Sequence, residues 1–452
     1  MATGSRRRVF PLHLTPIEKF LLADDRPAYP MAFVIDMTLT GRLDREAFDS
    51  ALGEALARHP LLMSWIRPAK QNALCWVSSQ GQWPYVNWAE EGVAIELPEG
   101  EWINLHDEVG LRIWVRQGSE RVQVTAQFHH ACCDGIGAYR FLGDLLAIYG
   151  ARTSIDGSCP TMDDVDVARL RGRADGCGYL DKTGQVARQV RASLKLWYQI
   201  MGRGCDPLYP ARRGQRTSEF PGYCAHFFDQ NEFKRLRDAA AALGILINDL
   251  LLLELFYTMH RWNMSKRKRI TGRKYRIMMP MDLRSTRDYE TPASNIIGYS
   301  FLTSEPSDLE DKRRLADRIR EDTARIKHER LGERFVDMVS MGSTVRGFLP
   351  LATALPRTLA SATLTNVGDP SRRFLARFKR REGRLVCGNL TLERISGFPP
   401  IRPKTRAAFS IVSYRKELTI GLRCDPHLFS LADTQEMLNI YVGRLRQYLQ
   451  AE

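Results

Sequence analysis

The stretch "TAQFHHACCDGIGAYRFLGDLL", Thr125 to Leu146, places two histidines, two cysteines and an acid–glycine pair within seven residues, His129 to Gly135. Upstream, "LRIWVRQGSERVQVTAQF" alternates apolar and polar residues in two runs around "QGSE". That pattern predicts a hairpin whose second strand leads into HHACCDG. Downstream, Ile136, Tyr139, Phe141, Leu142, Leu145 and Leu146 recur at helical spacing up to Gly150. HHACCDG is therefore expected at a strand-to-helix junction, where a rigid scaffold can project side chains into a cleft.

The residue types admit several chemistries. Adjacent His129 and His130 point in different directions on an extended backbone. No HExxH or CxxC partner for a zinc site occurs elsewhere in the chain. A vicinal Cys132–Cys133 disulfide would form a strained ring, whereas small apolar packing beneath a loop is the plainer reading of both thiols. A nucleophilic Cys132 lacks an evident third group to orient its base. A histidine general base fits the setting better, because a strand end holds the ring and a neutral imidazole titrates near working pH. Asp134 could then turn from the cleft and anchor the loop through a bidentate arginine. Gly135 and Gly137 permit tight turning and close approach of a ligand.

The chain has 452 residues, 44% hydrophobic and 26% charged, which indicates two or three domains, or two lobes sharing one interface, and excludes a disordered chain. No apolar run reaches the roughly 18 residues a membrane helix needs. "LGILINDLLLELFYTM" is broken by Asn248, Asp249 and Glu254 and reads as a buried amphipathic helix. The basic N-terminus lacks the apolar core of a secretory signal, and nine scattered cysteines fit reduced thiols in a cytoplasm. A net charge of +14 favours anionic partners, although a solvated surface would carry the same charge.

Further along, "MAFVIDMTLTG" predicts a strand, "LDREAFDSALGEALARHP" a helix capped by Asp44 and ended by Pro60, and "LLMSWI" another strand. Residues 151–219 read as a crossover with one helix, "TGQVARQVRASLKLWYQIM". "YCAHFFD" opens a second lobe. Helices follow at about 230–243 and 246–262, then "YRIMMPMDLRS" as a strand leaving its sheet at Pro280, and two helical patterns over 309–346. "LASATLTNVGDP" and "RLVCGNLTLERISG" predict strands, "AAFSIVSYRKELTIGLRCDP" a hairpin and "ADTQEMLNIYVGRLRQYL" a final helix. Two α/β or α+β lobes of comparable size follow.

HHACCDG resembles the HHxxxDG signature of the condensation-domain and CoA-dependent acyltransferase superfamily. That group includes chloramphenicol acetyltransferase, peptide-synthetase condensation domains, plant BAHD enzymes, wax-ester synthases and mycobacterial polyketide-associated acyltransferases. "LTPIEKFLL", "ALARHPLLMSWI", "INDLLL", "MPMDLRS", "NIIGYSFL" and "TLTNVGDP" are similar, in the same order, to further motifs of the group, so the likeness spans about residues 12–449. It implies two chloramphenicol-acetyltransferase-like lobes with a cleft and tunnel: residues 1–180, a crossover at 181–219, and 220–452. It implies His130 as the base, Asp134 as a structural residue paired with Arg284, and Gly135 and His129 as structural neighbours. Asn366 would line the tunnel near the oxyanion or acyl donor, with Thr365 in place of the usual serine. The chain lacks a DFGWG motif and any carrier or adenylation region, and Ile136–Gly137 replace the usual aromatic–serine pair. A standalone acyltransferase of the polyketide-associated or lipid type is the closest match.

The resemblance further implies acyl transfer from acyl-CoA or an acyl carrier protein to an alcohol or amine, small-molecule or lipid, by a monomer with no resident cofactor or metal. Two basic stretches, Ser265–Arg276 and Arg372–Arg384, could meet CoA phosphates, an acidic carrier protein or an anionic membrane surface, and equally could be solvated segments. Nucleic-acid binding is disfavoured, since neither stretch carries a recognised motif. The competing reading is a non-catalytic condensation-like protein that recruits carrier proteins through its basic face. His59, at a helix end, is expected to meet that helix's terminal carbonyls.

Overall fold

The computed structural model describes residues 9–450 apart from 70–72, 155–156, 158, 176–190, 192–193, 203, 211–219, 267–273 and 356. Most of the expected crossover helix and the centre of the Ser265–Arg276 stretch lie outside the described residues. Two helix-covered sheets form the two lobes, so the mixed α/β class is that of the structure.

The first sheet is built from β1 (Ala32–Thr40), β2 (Tyr85–Glu90), β3 (Leu111–Gln117), β4 (Arg121–His129), β9 (Arg380–Arg381), β10 (Arg384–Cys387) and β11 (Leu390–Phe398), in the order β9-β10-β11-β1-β4-β3-β2. The second contains β5 (Tyr223–Phe228), β6 (Tyr275–Asp282), β7 (Ile297–Ser304), β8 (Ala362–Gly368), β12 (Ala407–Tyr414) and β13 (Glu417–Cys424), in the order β7-β6-β8-β12-β13-β5. The chain returns to the first lobe at β9–β11, which lie within 220–452 yet join the first sheet, β11 pairing antiparallel with β1. Strand pattern fixes which faces of β11 are apolar, but not which sheet receives it.

β3 and β4 form the hairpin around residues 118–120, and β4 sits centrally between β1 and β3. Its apolar positions Val122, Val124, Ala126 and Phe128 are buried. Helix α1 (Pro16–Asp24) packs on the helices at Leu331–Ser343 and Phe348–Ala354 of the second lobe, while α2 (Arg45–Arg58) and α3 (Gly135–Thr153) belong to the first and pack on each other. Asp44 caps α2 through the Ala47 N–H. Leu61–Met63 form a single 3-10 turn, not strand, because Pro60 begins that turn; extended backbone resumes at Ser64–Pro68.

In the second lobe, α4 (Gln230–Ala242) and α5 (Ile247–Lys266) flank Gly244, which adopts φ +70°. The α5 helix is enclosed on nearly every side, not amphipathic. Its polar residues pair inward: Glu254 accepts from Arg444 at 2.6 Å and Tyr448 at 2.7 Å, and Asp249 accepts from Thr323 at 2.8 Å. No single helix among the described residues is long and apolar enough to cross a membrane. Pro280 stays within β6, opposite Tyr299, since pairing of β6 with β8 ends at Met278. Helices α6 (Lys312–His328), α7 (Leu331–Ser343), a short α8 (Phe348–Ala354) and a terminal α9 (Leu431–Arg446) complete the lobe. Arg415 and Lys416 carry φ +57° and +62°, the two left-handed residues of the β12–β13 turn.

Candidate active site

The β4 ladder runs to its last residue, where His129 pairs with Ala32 of β1. The His130 N–H then donates to the Met31 carbonyl at 2.7 Å, so the strand geometry carries one residue beyond the sheet. A short turn follows, closed by the Cys132 N–H on the His129 carbonyl at 3.0 Å. Asp134 begins α3 as its N-cap, accepting from the Gly137 N–H at 2.8 Å.

Asp134 also accepts from both terminal nitrogens of Arg284, at 2.9 and 3.0 Å, and from the Ile296 N–H at 2.9 Å. Burial pushes its carboxyl up, but the Arg284 guanidinium and the two backbone N–H groups outweigh burial and hold it below the usual carboxylate range. Arg284 is itself raised by this partnership. Asn295 donates to the carbonyls of His130 and Ala131, at 2.7 and 2.8 Å. Residues 284–296 of the second lobe thus wrap the HHACCDG turn of the first. The sequence did not assign Asn295 this role; it entered only as the first residue of "NIIGYSFL", one of the segments that carry the resemblance.

The Cys132 and Cys133 thiols are fully buried, unpaired, and pushed well up by desolvation. They pack beneath the turn, and a Cβ on Gly110 would lie 2.1 Å from the Cys132 sulfur. Gly137 makes a close approach to protein rather than to ligand, since a Cβ there would sit 2.9 Å from the Ser294 nitrogen. Gly135 faces open space and lines the cavity described below. Among the described residues no group of three or more His, Cys, Asp or Glu is placed to hold a metal ion.

Three histidines stand near this junction in different states. His129 is buried; its Nδ1 accepts from the Ala131 N–H at 3.1 Å and its Nε2 lies 3.4 Å from Asp25 Oδ2, an ion-pair distance without hydrogen-bond alignment. His59 does not meet the α2 carbonyls. Its Nδ1 accepts from the Ala293 N–H at 2.9 Å and its Nε2 lies 3.1 Å from Asp144 on α3. Pro60 turns the chain inward, and the ring is wholly buried between α3 and the 284–296 segment. His130 packs edge-to-face on Phe33 at 5.1 Å, and burial lowers its imidazole below its ordinary value of 6.5. Its Nδ1 is enclosed without an aligned partner, and its own carbonyl favours a proton there. Nε2 is the nitrogen left facing the cavity.

That cavity, about 130 Å³, lies between the lobes and is mainly apolar, with Phe33, Ile35 and Ile136 on one side and Met281, Ile297 and Pro400 on the other. His130, Asp134, Thr365 and Asn366 also line it. Asn366 sits at an irregularity in the β8–β12 register. Its Oδ1 accepts from the Gly368 N–H at 3.0 Å, which orients the amide, and one Nδ2 hydrogen goes to Asn248 at 2.9 Å. The Thr365 hydroxyl has no protein partner among the described residues. In the second basic stretch, Arg372, Arg377, Arg380 and Arg381 are exposed, while Arg373 reaches the cavity rim and pairs with Asp282 at 3.4 Å.

No family model matches the chain. The uncharacterized protein Rv2305 of Mycobacterium tuberculosis is 22% identical over 373 residues, covering 79% of this chain and 83% of that protein. Among solved structures, TRI3 trichothecene 15-O-acetyltransferase from Fusarium sporotrichioides superposes with a TM-score of 0.71 at 14% identity, covering 99% of this chain and 97% of that one. The first condensation domain of the calcium-dependent antibiotic synthetase gives 0.70 at 15% identity over 97% and 96% of the two chains. Polyketide synthase associated protein 5 from Mycobacterium tuberculosis gives 0.61 at 15% over 96% and 97%. The fold is therefore the one these solved structures share, two lobes meeting at the His130 cavity.

Proposed function

We propose that this protein transfers an acyl group from a thioester, acyl-CoA or acyl carrier protein, to an alcohol or amine acceptor. The observation that carries the reading is His130: a half-buried, neutral imidazole on a strand end, its Nε2 free at a cavity between two lobes. The acceptor's O–H or N–H meets Nε2 as its heavy atom attacks the thioester carbonyl. An alcohol is too weak an acid to ionise first, so proton transfer accompanies attack. A positioned base of this kind contributes about 10²–10⁴-fold. The tetrahedral oxyanion needs donors, and the Nδ2 hydrogen of Asn366 not used by Asn248 is our candidate. Collapse breaks the carbon–sulfur bond, and the departing thiolate takes the proton back from the imidazolium.

Asp134 and Arg284 position this base and are not proton carriers. Their bidentate pair fixes the start of α3 against the second lobe, and Asn295 fixes the carbonyls of the turn. A second reading is favoured by the exposed arginines at 372–381: a non-catalytic protein that recruits acidic carrier proteins. Incubation with a panel of acyl thioesters and with alcohol, amine and lipid acceptors, followed by mass spectrometry, separates the two. Acylated product with stoichiometric free thiol supports transfer; carrier binding with no thioester consumption supports recruitment.

A further inference from the structure

Burying a phenol hydroxyl without a partner is costly, so native tyrosines at such positions are nearly always hydrogen-bonded. Tyr139 departs from this rule. Its side chain is 1% exposed, on the face of α3 turned to the His130 cavity, and it lines that cavity. Its hydroxyl has no protein partner among the described residues, and desolvation alone pushes the phenol upward. Gly397 keeps the hydroxyl uncovered, since a Cβ there would lie 2.9 Å from the phenol oxygen.

Ser410 repeats the arrangement on the opposite lobe. It is 3% exposed, lines the same cavity, and its hydroxyl also has no protein partner among the described residues. A Cβ on Gly421, its register partner, would lie 2.4 Å from the serine oxygen. Two buried hydroxyls from different lobes, each facing a glycine, therefore open on one largely apolar chamber. Neither contributes a hydrogen bond to the fold among the described residues.

We propose that Tyr139 and Ser410 are specificity-determining residues that hold a second oxygen function of the acceptor. The acceptor is then an apolar-framed molecule carrying a hydroxyl or carbonyl besides its reacting group, not a plain alkanol or alkylamine. This rests on the reading of the cavity as the acceptor site. An acceptor lacking the second oxygen would leave both hydroxyls desolvated and unpaired, which a site built for hydrogen bonding rejects strongly.

Two measurements test it without requiring turnover. Tyr139→Phe removes only the phenol oxygen; the expected melting temperature is unchanged or higher, and a fall of several degrees would overturn the assignment by showing that the hydroxyl serves the fold. In the His130→Ala protein, calorimetric titration with octan-1-ol and octane-1,3-diol reads binding alone. We expect the diol to bind about tenfold more tightly or better, with the preference falling to within about threefold in His130→Ala/Tyr139→Phe and His130→Ala/Ser410→Ala. Equal affinities, a preference that survives both substitutions, or no detectable diol binding would each overturn it. Failure of acyl transfer in the product screen would leave these binding outcomes readable, so the two claims fail separately.

Discussion

His59 is wholly buried and His130 half-buried, yet both are lowered by desolvation and both adjoin a carboxylate of α3, Asp144 in one case and Asp134 in the other. Their hydrogen bonds separate them. His59 has a partner for each nitrogen, so its ring is a strut between α3 and the second lobe. His130 has neither an aligned partner at Nδ1 nor any protein partner at Nε2 among the described residues, and Nε2 opens on a chamber. Titration direction alone would give both residues the same role. What distinguishes a reactive histidine from a structural one here is the nitrogen left over once the protein's own donors and acceptors are counted.

The contrast can be broken at its support first. Arg284→Met strands the Asp134 carboxylate in the interior, and unpairing a buried ion of this kind costs about 3–5 kcal/mol. Denaturant unfolding should register that loss together with loss of transfer activity. A stability change below about 1 kcal/mol would show that Asp134 is not the anchor described. Smaller is the effect of His59→Leu, which orphans the Ala293 N–H at a cost of about 1–3 kcal/mol while per-molecule activity survives in the folded fraction. If His59→Leu abolished turnover in well-folded protein, the distinction between strut and base would be lost. Asn295→Ala should cost about 1 kcal/mol and lower kcat more than it raises KM, because it frees the carbonyls beside His130 without touching the chamber walls.

Titration sharpens the same comparison. His130 acts as a base only when neutral, and its folded value lies below 6.5. Activity should therefore persist as pH falls to about 6.5 and disappear below it; an acid limb centred above 7 in kcat/KM would contradict this. For stability the sign is shared by both histidines. Below 6.5 the unfolded chain binds protons that the folded one refuses, so stability falls as pH drops through that region. His59→Leu should flatten part of that fall.

Much of this site is legible in the amino-acid sequence. Alternation in β3 and β4 and helical spacing after Gly135 place HHACCDG at its junction. Spacing cannot show that residues 284–296 wrap the turn, because Asn295 meets the carbonyls of His130 and Ala131 across 164 residues or more of chain. Nor can it show that β11 joins the first sheet, since period-two alternation fits either lobe. Tyr139 is invisible for a different reason. Its helical spacing is that of a core residue, and its ring is core; only the placement of Gly397 reveals that its hydroxyl is left open.

The most direct test is the rate of thiol release from an acyl thioester in the presence of the acceptor identified by the product screen, measured for wild type, His130→Ala and His59→Leu at equal folded concentration. A fall of about 10²–10⁴-fold is expected for His130→Ala with an unchanged melting temperature, and near wild-type rates for His59→Leu. Full activity in folded His130→Ala would contradict this expectation.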